Sequence, residues 1–240
     1  MKRTLWNWGE APVIYAAICL ALATFGGGIE EQARAQALNT NQIVKATSFE
    51  EWLILAKGGD TNAQYQLGRS YTSYAWSNVK RIVGVPYDAE AGHSWFLRAA
   101  SGGVSEAQFE AGRRFYDKVW LTSERKKKAE LVQVSLMWLT RAALQGNVDA
   151  WIDLSFGYDT GNSRNMSAGG LFGADPIEAY KWIHLALEAE HKWPPGNWVY
   201  VNRNRLSGKL TGIQIAQAKE RAVRFIEAME KAKKEKAQPK

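Results

Sequence analysis

The sequence predicts an all-α protein, an α/α solenoid of about three helix pairs closed by a capping helix at each end. Three observations carry this expectation. The stretch from Ala56 to Tyr71 recurs as Ala100 to Phe115 and, more loosely, as Leu144 to Tyr158. Each copy is followed by a tryptophan and small residues one helical turn later: Trp95 with Ala99 and Ala100, Trp138 with Ala142 and Ala143, Trp182 with Ala186. The spacing holds at 44 residues from Ala63 to Ala107 and 43 from Trp95 to Trp138, and a fixed period in that range marks a repeat array.

The chain opens on a segment of another kind. Lys2 and Arg3 precede an apolar run from Ala11 to Phe25, followed by Gly26 to Gly28 and two overlapping small-x-small sites between Ala33 and Ala37. That is the layout of a secretory signal peptide, expected over residues 1–37, with a mature end near Gln36 or Leu38. An uncleaved anchor is the alternative, but the run is shorter than the ~20 residues needed to span a bilayer, so no stable membrane insertion is expected after cleavage. Cys19, the only cysteine, falls in this segment, and Ile18 before it does not fit a lipoprotein site. The mature chain is then expected to be free of thiols, which excludes disulfides, thiolate metal sites and a cysteine nucleophile. Stability must come from stacking.

Ser48-Phe49-Glu50-Glu51 is a capping box ahead of Trp52, Leu53 and Leu55, and it predicts a short helix covering the first repeat. Ala63, Leu67 and Tyr71 then fall on one helical face, as do Ala91, Trp95 and Ala99 on a second, so each repeat reads as a helix pair. Gly68 and Gly112 lie inside helices, where glycine costs about 1 kcal/mol relative to alanine, and their recurrence in register predicts close approach of a neighbouring helix. The expected repeats run over about 56–100, 100–143 and 144–190. A cap follows over 197–232: Thr211 to Gln214 is a second capping box, opening a helix whose Ile215, Ala218, Ala222, Phe225, Ile226 and Met229 form one apolar stripe. Beyond Met229 no apolar partner remains, so residues 233–240 are expected to fray as a basic tail.

At Ala63-Gln64, Leu67-Gly68, Tyr71, Gly84-Val85, Asp88, Ala91, Trp95-Phe96 and Arg98-Ala99-Ala100 the chain resembles the Sel1-like repeat family, a branch of the tetratricopeptide-like solenoids. The second copy keeps Ala107-Gln108, Gly112 and Trp138 but lacks the loop signature, and the third has Trp151 for the glutamine and Ser155 for the glycine. The resemblance covers roughly Phe49 to Glu190. It implies protein–protein adaptors, among them periplasmic regulators of sensor kinases and parts of polysaccharide-export assemblies.

Three segments depart from a minimal repeat: Tyr74 to Val83, Asp117 to Gln133 with the basic run Arg125 to Lys128, and the Gly/Ser/Asn-rich Asp159 to Ala174. They read as insertions, and insertions in repeats map to loops on one face. The basic run reads as a solvated helix face, and Asp175-Pro176 as a helix start. Two prolines stiffen Trp193 to Trp198, whose tryptophans either anchor a partner or fold back to plug the end of the array.

No catalytic or metal-ligating constellation is legible, and no cofactor is expected. His93, His184 and His191 are the only histidines and read as packing or surface residues. The formal charge of +7 stays with the mature chain, because the leader carries three basic and three acidic residues. A basic exported protein can meet anionic polymers, and no nucleic acid is expected as partner. First helices line the concave side in this architecture, so Tyr65, Arg69, Arg113 and Arg114 are expected on one binding surface, with Trp193 and Trp198 as further anchors. The reading is a non-enzymatic exported scaffold for protein partners. A binder of cell-wall polymer and an envelope enzyme are the alternatives.

Overall fold

A computed structural model describes residues 48–73, 81–159, 171–189 and 197–237. The leader, Trp76, His191 and Trp193 therefore lie outside the described residues, as do most of the first and third expected insertions. Every regular element among the described residues is an α-helix: α1 (Phe49–Lys57), α2 (Thr61–Thr72), α3 (Ala89–Ser101), α4 (Ser105–Leu121), α5 (Arg125–Leu144), α6 (Val148–Tyr158), α7 (Pro176–Glu188), α8 (Trp198–Ser207) and α9 (Gly212–Ala237). The chain divides into two compact units, residues 1–99 and 100–240.

In the first unit Ser48 closes the expected capping box on α1, accepting from the Glu51 amide while the Glu51 carboxylate accepts from the Ser48 amide, both at 3.2 Å. Leu55, Ala56, Ala63, Leu67 and Val85 form the core, packed by Phe49, Trp52, Leu53, Tyr71, Ile82 and Trp95. Gly68 is small for a reason visible in α3: a Cβ there would lie 2.6 Å from the ring of Phe96. Of the three tryptophans expected in equivalent core positions, Trp138 and Trp182 are buried whereas Trp95 is only half-buried. Phe96, its neighbour, fills the gap over the glycine instead.

The second unit stacks two helix pairs, α4–α5 and α6–α7, under the closing helices α8 and α9. Its core runs from Leu139 through Trp151, Trp182 and Ile183 to Ala218, Ala222 and Met229. Gly112 takes the part of Gly68, since a Cβ would meet the Leu139 side chain at 2.8 Å and its backbone nitrogen at 3.0 Å. The expected stripe of α9 docks here, with Phe225 edge-on to both Trp151 and Trp182. Lys181 is buried beside it, its ammonium 3.7 Å from the Trp182 ring centroid and paired with Glu178. Burial lowers the pKa of Lys181, with Glu178 opposing.

Two expectations are corrected. Asp117 to Gln133 is not a loop: α4 continues to Leu121, α5 begins at Arg125, and only three residues connect them. No proline or glycine interrupts this stretch, and Val119 and Val132 bury themselves, so propensity and packing agree on helix. Past Met229 α9 runs on to Ala237, so residues 233–237 of the expected tail are helical, and residues 238–240 lie outside the described residues. Glu227 with Lys231 and Glu230 with Lys234 place acids four residues before bases, the orientation that supports a solvated helix.

Candidate functional site

The repeat joints come first, because they fix which side of each first helix is left for binding. Between α1 and α2, α3 and α4, and α5 and α6 the chain turns at Gly59, Gly103 and Gly146, with φ of 98°, 95° and 88°. This is the left-handed region that a side chain penalises. Past each turn one side chain reaches back to a carbonyl near the end of the preceding helix. Gln64 donates its amide to Ala56 (2.9 Å) and Gln108 to Ala100 (3.1 Å), while the Trp151 indole N–H donates to Ala143 (3.0 Å). The third repeat's departure from the family pattern therefore preserves the joint. An indole N–H supplies the donor that the glutamine amide supplies elsewhere.

The loops preceding α3 and α7 are also built alike. Asp88 donates its amide to the Tyr71 carbonyl (2.9 Å) and Asp175 to that of Tyr158 (3.1 Å), and each aspartate then caps its helix. Gly84 and Gly173, at φ of 88° and 94°, make the bends. The middle repeat needs no such loop, since α4 and α5 are long enough to meet through three residues.

With the joints and seams consuming one side of the first helices, charge collects on another. On α2, in the first unit, the Arg69 guanidinium lies 5.7 Å from the centroid of the Tyr65 ring, which in turn rests against Phe96. In the second unit Arg113 is exposed and Arg114 half-buried on α4. They do not stand on a purely basic surface. Glu110, Arg113 and Asp117 from α4, together with Asp149 from α6, all act electrostatically on Asp153. Burial, opposed by Arg113 and reinforced by the three carboxylates, pushes the Asp153 pKa up to about 7. Asp117, though exposed at the surface, is raised as well by partial desolvation of its carboxyl, with Arg113 and Arg114 opposing.

Tyr116 lies under this cluster. It is 7% exposed, and its hydroxyl is buried with no hydrogen-bond partner among the described residues. Burial, then Asp153, then Asp117 raise its pKa. Its ring is held edge-on by Phe172 and Trp120. Glu110, Tyr116, Asp117, Asp149 and Asp153 were not singled out from sequence. The signal was nonetheless there, since Asp149 and Asp153 are like charges four apart on one helix, a pairing that costs stability.

A second exposed feature is aromatic. Trp198, at the start of α8, is 47% exposed and stacks on Phe156 at 5.2 Å, so it neither plugs the array completely nor stands free. Asp159, at the end of α6, is fully buried and paired with Arg205 of α8 and, at 3.2 Å, with Lys209 just past that helix, which fastens this end of α8 to α6. His93 is buried in α3, and His184 lies between Tyr180 and Glu188, with burial lowering its pKa. Among the described residues no three His, Cys, Asp or Glu side chains come close enough to hold a metal ion. None of the described helices is long and apolar enough to cross a membrane.

No family model matches this chain, and no curated protein does. Among solved structures the chain is similar to a protective antigen of uropathogenic Escherichia coli displaying an SLR (Sel1-like repeat) fold. The two are 22% identical, over 91% of this chain and 50% of that one, with a TM-score of 0.40. This chain thus spans about half the length of that protein. It is also similar to a Sel1 repeat protein from Oxalobacter formigenes, 20% identical over 66% of this chain and 96% of that one, with a TM-score of 0.43.

Proposed function

We propose that this chain is an exported, non-enzymatic Sel1-like repeat scaffold that works in the periplasm of a Gram-negative bacterium and holds a protein partner on the charged face of α4 and α6. The observation that carries the reading is the division of labour on α4. Ala107, Gln108, Ala111 and Gly112 are consumed by the joint and the seam, while Arg113 and Asp117 of the same helix stay exposed. Exposed charges held on a rigidly packed helix can meet complementary charge on a partner. Export rests on the leader, and a place in an envelope signalling or polysaccharide-export assembly rests on the Sel1-like resemblance.

The test is site-specific crosslinking in the native envelope. A photoreactive side chain in place of Arg113 is expected to yield one dominant product with another protein, and the same group in place of Lys127 is expected to yield none. Crosslinking from position 127 but not 113 overturns the assignment of the face. A fully cytoplasmic chain overturns the assignment of the compartment.

A further inference from the structure

Where α4 hands over to α5, two large apolar side chains are left in water. Leu121, the last residue of α4, is 87% exposed, and Trp120 before it is 42% exposed. A single exposed leucine needs no explanation, but this one adjoins an indole and a basic run. Trp120 is held from two sides, edge-on by Tyr116 at 6.5 Å and by the Lys128 ammonium, 5.8 Å from its ring centroid. Thr122, Ser123 and Glu124 make the whole connection, and Ser123 to Lys127 are all exposed. From Lys118 to Lys128 five basic residues stand against one acid, Glu124.

The cations do not sit where α5 itself favours them. Arg125 to Lys128 fill its first turn, which holds no acid and forms the positive end of the helix dipole, and the Glu124 side chain makes no cap. Solubility is served as well by cations further along the helix, where the dipole does not oppose them. An anionic bilayer surface satisfies both features at once, since its headgroups take the charges and its acyl boundary takes the apolar pair. Tryptophan suits that boundary, with an apolar ring and a polar N–H. Three of the four cations are lysines, point charges without the planar fork that matches a shaped carboxylate site, and this favours a diffuse negative field over one acidic protein groove.

We propose that the α4–α5 tip is a peripheral membrane anchor: Leu121 and Trp120 enter the headgroup boundary of an anionic bilayer while Arg125, Lys126 and Lys127 meet its headgroups. The array then lies on a membrane without crossing it. Attachment is reversible, because two apolar side chains bury little area and the rest is electrostatic. The anchor is separate from the α4–α6 face, since Arg113 lies about two helical turns before Leu121.

The experiment attaches an environment-sensitive fluorophore to the full chain at Ser123→Cys, in a Cys19→Ser background, and titrates it with vesicles. Vesicles of phosphatidylcholine with added phosphatidylglycerol are compared with phosphatidylcholine alone. A blue shift is expected with the anionic vesicles, at an affinity at least tenfold above that for neutral ones and weakened by salt. Lys126→Glu with Lys127→Glu should weaken binding at least tenfold, at about fivefold for each lysine. Leu121→Ser should weaken it several-fold. Neither variant should lower the melting temperature, because all three side chains are exposed. No shift with anionic vesicles, or an equal shift with neutral ones, overturns the proposal, even where the chain sediments with vesicles through another segment. Loss on charge reversal without loss in Leu121→Ser identifies a site for an anionic polymer and overturns the bilayer. A protein crosslink from position 127 in the native envelope assigns the tip to a protein and overturns it likewise. The α4–α6 reading is untouched by the vesicle results and rests on the crosslink from position 113.

Discussion

Along α4, Ala107, Gln108, Ala111, Gly112 and Val119 are buried, whereas Glu110, Arg113, Asp117 and the half-buried Arg114 carry charge on the rest of the helix. Ala107, Gln108 and Gly112 recur 44 residues earlier as Ala63, Gln64 and Gly68, and of the charged set Arg113 alone does so, as Arg69. Packing between repeats has one geometric solution, so it repeats. Recognition of one partner needs its chemistry at a single place, so the residues that perform it need not recur. Substitutions on the two sides of α4 and its neighbours should therefore differ in kind, and four of them break or sharpen the contrast.

The largest effect is expected at Trp138, which is 1% exposed in the second unit. Trp138→Ala should cost about 3 to 5 kcal/mol in a denaturant titration, as other buried aromatics do, and Lys127→Ala close to nothing. Equal small effects would mean that the repeat register is wrong. Next comes Gly112→Ala, where the new methyl group meets the backbone of α5 as well as the Leu139 side chain. Overpacking of this kind costs about 1 to 3 kcal/mol, and the better helix propensity of alanine returns about 1 of it. A stabilised variant would show that α4 and α5 separate without cost.

Trp151→Phe is a smaller change that isolates the joint. It removes the N–H donor to the Ala143 carbonyl and keeps most of the apolar area, so about 1 kcal/mol should be lost. No loss would show that the third repeat does not depend on this hydrogen bond.

Asp153→Asn acts on the other side and with the opposite sign. The folded pKa of Asp153, about 7, lies above the ordinary carboxylate value. Between about pH 4 and about pH 7 the native state therefore retains a proton that the unfolded chain has released, so this residue's contribution falls as pH rises. Asparagine has no such proton to lose. The variant should match the parent near pH 4 and melt a few degrees higher near pH 8. A carboxylate that weakens the fold under ordinary conditions, and whose replacement stabilises it, fits a side chain retained for binding. Equal melting temperatures across the range would make Asp153 an ordinary surface acid.

How much was legible in the sequence follows the same divide. The helix pairs, both capping boxes, the close approach at Gly68 and Gly112 and the stripe on α9 were readable, because each depends on local spacing. The equivalence of Trp151 with Gln64 and Gln108 was not, because the shared feature is an N–H donor at one position and not a residue type. Trp95 was overrated for a related reason: register places it beside the core, but Phe96 covers the glycine in that unit. The expected surface of Tyr65, Arg69, Arg113 and Arg114 named no acids, and those acting on Asp153 come partly from α4 itself and partly from α6, two helices further on, whose approach to α4 is a tertiary fact. Continuity of α4 beyond Asp117 was misread because a departure from the minimal repeat suggested an inserted loop, although nothing in the stretch breaks a helix.

The joints carry a consequence for how this molecule can change over generations. Each of the three back-reaching hydrogen bonds links residues only eight apart, across one glycine turn, so all the information needed to join one helix pair to the next sits inside a short stretch of chain. Deleting or duplicating one full period would carry a complete joint with it and leave the others intact, as expected where energies are nearest-neighbour sums. The length of the array is thus free to drift by whole units, while the α4–α6 charges, written once, set the limit on which unit can be lost.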